Sequence, residues 1–172
     1  MSPSAKSSLT ALFLFLPYLA APLESTLPTP VSIRQVDTEI VINAPVAIVW
    51  ANIKSVPTIQ PSEQTFNLLH WVGMPKPVAA TLSHDGVGGV RDATFDNGLT
   101  FVETVTAWQQ NQHIAFSIRP TGVASLQPWN QIGGPYFDIL DGAYTVEPLT
   151  GGRVLLQLSS RHRLSTHFNL YG

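Results

Sequence analysis

Between residues 36 and 43 the chain reads VDTEIVIN, with Val36, Thr38, Ile40 and Ile42 on one side and Asp37, Glu39 and Val41 on the other. A period of two predicts a strand. At Asn43-Ala44-Pro45 the period changes. Asn43 or Ala44 lies near a helix cap, and Pro45 falls at an early helical position, where its missing N–H costs nothing. Val46, Val49, Trp50 and Ile53 then recur at helical spacing and form one apolar stripe through about Lys54. Val56-Pro57 breaks that stripe, and Pro57 to Pro61 predicts a second short helical turn.

From residue 65 onward strands replace helices. Residues 65–78 (TFNLLHWVGMPKPV) are apolar but interrupted by Gly73, Pro75 and Pro77, which predicts a short strand followed by an irregular crossing. Residues 86–95 (GVGGVRDATF) end at Asp96-Asn97-Gly98, and Asn-Gly is a strong hairpin signal. Residues 99–109 (LTFVETVTAWQ) form the cleanest strand, rich in β-branched and aromatic side chains. Gln110-Asn111-Gln112 turns the chain, residues 113–119 run back, and residues 121–135 make a longer loop. A last hairpin joins 137–147 to 153–164 through Pro148-Leu149-Thr150-Gly151-Gly152. Because the strands follow one another after the helices, the fold class is α+β with an antiparallel sheet, not a parallel βαβ sheet.

The N-terminus follows another pattern. Residues 9–21 (LTALFLFLPYLAA) are about 13 uncharged residues behind Lys6, the layout of a secretory signal, and short for a bilayer span, which needs roughly 20. Leu19 at −3 and Pro22 at +1 make a poor cleavage site, so a signal peptide and an uncleaved anchor both stay open. Residues 22–30 (PLESTLPTP) read as an extended linker. The expectation is a leader or anchor with linker over 1–30, a ligand-binding domain over 31–172, and a secreted, periplasmic or membrane-anchored location.

Composition sharpens this picture in three ways. The 172 residues suit one domain plus that extension. Only 12% of residues are charged against 44% hydrophobic, about half the usual charged share. Such a low-charge chain predicts apolar surface facing a ligand, a membrane or a partner. A net charge of −2 gives no basic footprint for nucleic acid, and the absence of cysteine removes thiol nucleophiles, disulfides and cysteine-based zinc sites.

Three stretches carry a family resemblance: EIVINAPVAIVWANIKSV (39–56), GGVRDATFDNGLTFVETVTAW (88–108) and FDILDGAYTVEPLTGGRVLLQLSS (137–160). The chain resembles the helix-grip superfamily, which includes START-like, Bet v 1-like and polyketide cyclase/dehydratase proteins (SRPBCC), over roughly residues 36–164. The resemblance implies a curved antiparallel sheet of about six or seven strands with two short helices after the first strand. It also implies a groove that encloses a small hydrophobic, lipid-like or polyketide-like molecule, with no cofactor. Such folds end in a long helix across the concave sheet. The residues after Leu164 are too few for one, since marginal helices need about 12–15 residues. Either the sequence is a truncated product, or another segment, a second copy or a partner helix is expected over the groove.

For the groove wall the resemblance points to Phe101, Glu103, Val105, Phe116, Asp141 and Tyr144. Alternation puts Leu99, Phe101, Glu103, Val105 and Ala107 on one face. Glu103 is then a carboxylate among apolar neighbours, suited to acid–base work or to holding a ligand hydroxyl. An ion pair with Arg91 on the neighbouring strand is the plainer alternative. Alternation also groups Asp141 with Phe137, Ile139 and Ala143, and sets Tyr144 opposite with Leu140 and Val146. Asp138-x-x-Asp141-Gly142 equally suits a turn cap or a bulge, and Tyr144 a half-buried core position. His70, His84, His113, His162 and His167 show no metal-ligand spacing. Arg119 and the cluster Arg161-His162-Arg163 read as a solvated strand end or as contacts for an anionic headgroup. No hydrolase elbow, metalloprotease helix or phosphate-cradling loop occurs. Three functions remain: a non-enzymatic binder or carrier of an apolar molecule, a polyketide cyclase/dehydratase-type enzyme, and a module whose groove accepts a partner helix.

Overall fold

A computed structural model describes residues 31–60, 75–122, 132–134 and 137–165, with Thr26 in addition. The expectations for the N-terminal apolar run, for residues 65–74, for most of the 121–135 loop and for residues 166–172 lie outside them. Strand β1 (Ser32–Ile42) leads into helix α1 (Val46–Lys54), and six further strands follow. They are β2 (Pro77–Leu82), β3 (Val90–Phe95), β4 (Thr100–Gln109), β5 (His113–Thr121), β6 (Phe137–Leu149) and β7 (Arg153–Leu164). All seven join one antiparallel sheet in the order β1-β7-β6-β5-β4-β3-β2, so every neighbour after β2 is a hairpin neighbour and β1 closes onto β7. This is the curved sheet with a helix after its first strand that the helix-grip resemblance implies.

Among the described residues one short helix follows β1 where two are expected. Residues 57–60 run beside the β2 edge instead, with the Ile59 N–H donating to the Val78 carbonyl at 2.8 Å and Val56 bridging to Ala80. These bonds commit the backbone of residues 56–59 to the β2 edge in place of a helical ladder. Strand β2 itself begins at a proline, a position that suits an edge strand because no ladder N–H is lost to a neighbour. No helix among the described residues is long and apolar enough to cross a membrane.

Helix α1 packs its Val49 and Trp50 onto the inner face of the sheet, against Val105, Ile114, Phe116, Val146 and Val154. A second apolar cluster, Leu99, Phe101 and Ile132, lies elsewhere on that face with Phe95, Phe137 and Ile139 around it. The Asn97-Gly98 turn works as its sequence predicts: Gly98 has a φ of +86° and donates its N–H to the Phe95 carbonyl at 3.1 Å. Gly98→Ala forces a side chain into that left-handed conformation and is expected to lower stability by about 1–2 kcal/mol in urea unfolding. An unchanged midpoint would show that the turn relaxes.

Two bulges reset the faces that simple alternation assigns. One lies in β4 between Val105 and Ala107, so Trp108 takes the inward place expected for Ala107 and meets Trp50 edge to face at 5.2 Å. The other lies in β6 between Ile139 and Asp141. It groups Phe137 and Ile139 with Gly142, Tyr144 and Val146 on the inner face and turns Asp141 to the outer one. A bulge inserts one residue and reverses every side chain beyond it, which a period-two reading of one strand cannot register.

Candidate functional site

The inner face is built row by row from cross-strand pairs, because partners in an antiparallel ladder point to the same side. One row runs Val36, Ser160, Gly142, Phe116 and Val105 from β1 to β4. The next runs Thr38, Leu158, Tyr144, Ile114 and Trp108. On the other side of the first row stand Arg34, His162 and Ile139. Helix α1 covers the Val105–Ile114–Val154 part. Away from it Tyr144, Leu158, Ser160, His162, Ile139 and Phe137 are all only partly buried. Gly142 leaves the floor between Ser160 and Phe116 without a side chain, which deepens the face at that point.

One charged pair is buried on this face. Arg91 of β3 donates through Nε to the Glu103 carboxylate of β4, directly across the ladder. Its Nη1 donates to the Ile53 carbonyl in the last turn of α1. Both side chains are under 10% exposed. The guanidinium carbon also lies 4.2 Å from the Phe116 ring centroid and 5.7 Å from that of Tyr144. Burial pushes the Glu103 carboxyl above its usual range, and the charge and hydrogen bond of Arg91 offset that only in part. Arg91 therefore ties three elements together: it neutralises Glu103, satisfies a helix-end carbonyl and spans two aromatic rings.

The residues singled out from the sequence fall into two groups. Phe101, Glu103, Val105, Phe116 and Tyr144 all lie on the inner face, with Phe101, Val105 and Phe116 as buried core and Glu103 held by Arg91. Asp141 stands apart on the outer face, where both of its oxygens accept from the exposed Arg161 guanidinium. That face also holds Asp37, whose carboxyl is lowered by a hydrogen bond from the Ser159 hydroxyl and then by Gln35.

Two groups on the inner face escaped the sequence reading, Arg34 and Ser160, while Arg91 is expected there only as the partner of Glu103 and His162 only within the Arg161-His162-Arg163 cluster. The signal was present, since Val154, Leu156, Leu158, Ser160 and His162 alternate along β7. His162 stacks on Phe137, ring centroids 5.5 Å apart and 19° from parallel, and its Nε2 lies 2.8 Å from the Ser160 hydroxyl. Among the described residues no group of three His, Asp or Glu side chains is placed to hold a metal.

No protein-family model matches this sequence, and no curated protein does. Among solved structures the chain is similar to norcoclaurine synthase of Thalictrum flavum, at 14% identity and a TM-score of 0.47 over 82% of this chain and 75% of that one. It is similar to the protein Mll3558 of Rhizobium loti at 15% identity and a TM-score of 0.48, over 80% and 84% of the two chains. It is also similar to DynU16, a protein of the dynemicin biosynthetic locus, at 17% identity and a TM-score of 0.42, over 77% of this chain and 37% of that one. The figures describe the course of the chain and not its chemistry.

Proposed function

We propose that this protein binds a small, largely apolar molecule on the inner face of its sheet, beside α1. The observation that supports this reading most is the division of that face. Its buried charge is spent internally, Arg91 on Glu103 and Ile53, while Tyr144, Leu158, Ile139 and Phe137 keep apolar area accessible around the side-chain gap at Gly142. A mostly apolar concavity with few polar groups at defined points is what small-molecule sites share. Because Arg91 already holds the Glu103 carboxylate, the geometry favours binding over proton transfer by that residue.

The test uses the full chain and Nile red, an uncharged dye that brightens in apolar surroundings. Saturable binding is expected. Gly142 has ordinary strand geometry, and a Cβ there would meet only Ile118 Cδ1 at 3.6 Å and the Ser159 carbonyl at 3.7 Å. Gly142→Val is therefore expected to fold, to fill the floor, and to weaken dye binding at least about tenfold, as a few misplaced methyl groups in a pocket do. Absence of dye binding by the wild type, or undiminished binding by the folded variant, would sink the proposal.

A further inference from the structure

We infer that the molecule held on this face is an amphiphile with a single carboxylate, seated with that carboxylate at the Arg34–Ser160–His162 end of the groove. The inference rests on the groove reading above and adds the ligand's polarity and its direction.

Two independent features of that end call for an anionic acceptor. The first is a donor left over. The Ser160 hydroxyl and His162 Nε2 share one hydrogen bond, and His162 Nδ1 is closed to water and meets no partner among the described residues. With the ring hydrogen on Nε2, the imidazole donates to Ser160 and the serine hydrogen remains unspent. With the hydrogen on Nδ1, serine donates to Nε2 and the Nδ1–H remains unspent. In either tautomer the pair holds one donor that no described residue accepts, and an unspent donor at a half-buried site is costly.

The second feature is a cation without a carboxylate. Arg34 lies directly across the β1–β7 ladder from His162, on the same inner face. Among the described residues it makes no hydrogen bond or ion pair. The neighbouring arginines behave differently: Arg161 and Arg163 point to the outer face and pair with Asp141 and Asp138, and Arg91 pairs with Glu103. Since Nδ1 is closed to water, the donor within reach of a ligand is the Ser160 hydroxyl, free when Nε2 carries the ring hydrogen. This hydroxyl with the Arg34 guanidinium fork suits a carboxylate, which accepts from both.

Below that end the face turns apolar. Val36 and Ile40 of β1 are 49% and 60% exposed, and Leu158 and Tyr144 lie beside them. From Arg34 to Ile40 is about 20 Å of strand, a length that a long acyl chain can follow. The Tyr144 ring flanks the path while Phe137 stacks on His162 at its polar end, and no second unpaired charge stands on it among the described residues.

The experiment is displacement of Nile red from the full chain by tetradecanoate and by tetradecanol, which share one hydrocarbon tail. Tetradecanoate is expected to displace the dye at a concentration about tenfold lower, the weight of a charge-assisted hydrogen bond over a neutral one. Arg34 is exposed, so Arg34→Ala leaves the fold intact. It is expected to erase most of the gap by weakening tetradecanoate alone. Ser160→Ala removes the hydroxyl hydrogen left over when Nε2 donates, and is expected to narrow the gap as well. Equal displacement by the two compounds in the wild type, or a gap that survives both substitutions, overturns the carboxylate assignment while leaving the groove standing. Dye that binds nowhere, or that neither compound displaces, overturns the groove reading itself.

Discussion

Arg91→Ala is expected to destabilise the protein by about 3–5 kcal/mol, the cost of breaking a buried ion pair and leaving one charge behind. The figure applies because both partners are under 10% exposed, so water screens neither. The substitution also orphans the Ile53 carbonyl at the end of α1 and empties the space between the Phe116 and Tyr144 rings. Removing both charges is a different experiment. The double variant Arg91→Met, Glu103→Leu keeps the volume and buries no charge, so it is expected to recover most of the loss. Urea unfolding followed by circular dichroism reads both numbers. Equal losses in the single and double variants would mean that shape, not charge, holds α1 to the sheet.

The same pair sets a pH signature. The Glu103 carboxyl is raised in the folded protein, so the folded state binds that proton more tightly than the unfolded chain. The contribution is fully present below the ordinary glutamate range and is lost as pH rises through the raised folded value. Arg91 holds that value down, so Arg91→Ala raises it further. The variant's deficit is therefore expected to be larger at about pH 7.5 than at about pH 5, where Glu103 takes up its proton and the buried charge disappears. A deficit independent of pH over that window would mean that water reaches Glu103 once Arg91 is gone.

The order of elements was legible because each rests on a local signal. The alternation of residues 36–43, the helical stripe from Val46 to Ile53 and the Asn97-Gly98 turn all correspond to elements of the structure. The pairing of Glu103 with Arg91 was legible too, since an antiparallel hairpin puts them opposite. The faces of Asp141 and Trp108 were not legible: each lies beside a bulge, and a bulge is settled by packing across neighbouring strands rather than by one strand's own pattern. Strand β2 was hidden for a related reason. Its sequence PVAATL lacks alternation, and it is held as a strand by β3 on one side and residues 56–59 on the other. The polar end of the groove joins residues 34, 160 and 162, and only the closure of β1 onto β7 makes them neighbours.

Trp50→Ala is expected to cost about 3–5 kcal/mol, the range for deleting a fully packed large aromatic side chain. Trp50 is 3% exposed, stands edge to face against Trp108 and, with Val49, forms the contact through which α1 meets the sheet. The loss is therefore expected to fall on α1 first and to weaken Nile red binding along with global stability. Trp50→Phe separates two opposing terms. It forfeits part of the apolar contact, which alone costs on the order of 1–2 kcal/mol. It also removes the indole N–H, which is buried and finds no partner among the described residues. An unpaired buried donor carries a penalty of about 1–3 kcal/mol, so deleting it repays much of the lost contact. The two terms nearly cancel, and Trp50→Phe is expected to lie within about 1 kcal/mol of the wild type. Thermal unfolding of the two variants side by side decides the matter. If Phe were as damaging as Ala, the indole N–H would have to be satisfied in solution, and Trp50 would hold its place by a hydrogen bond as well as by apolar contact.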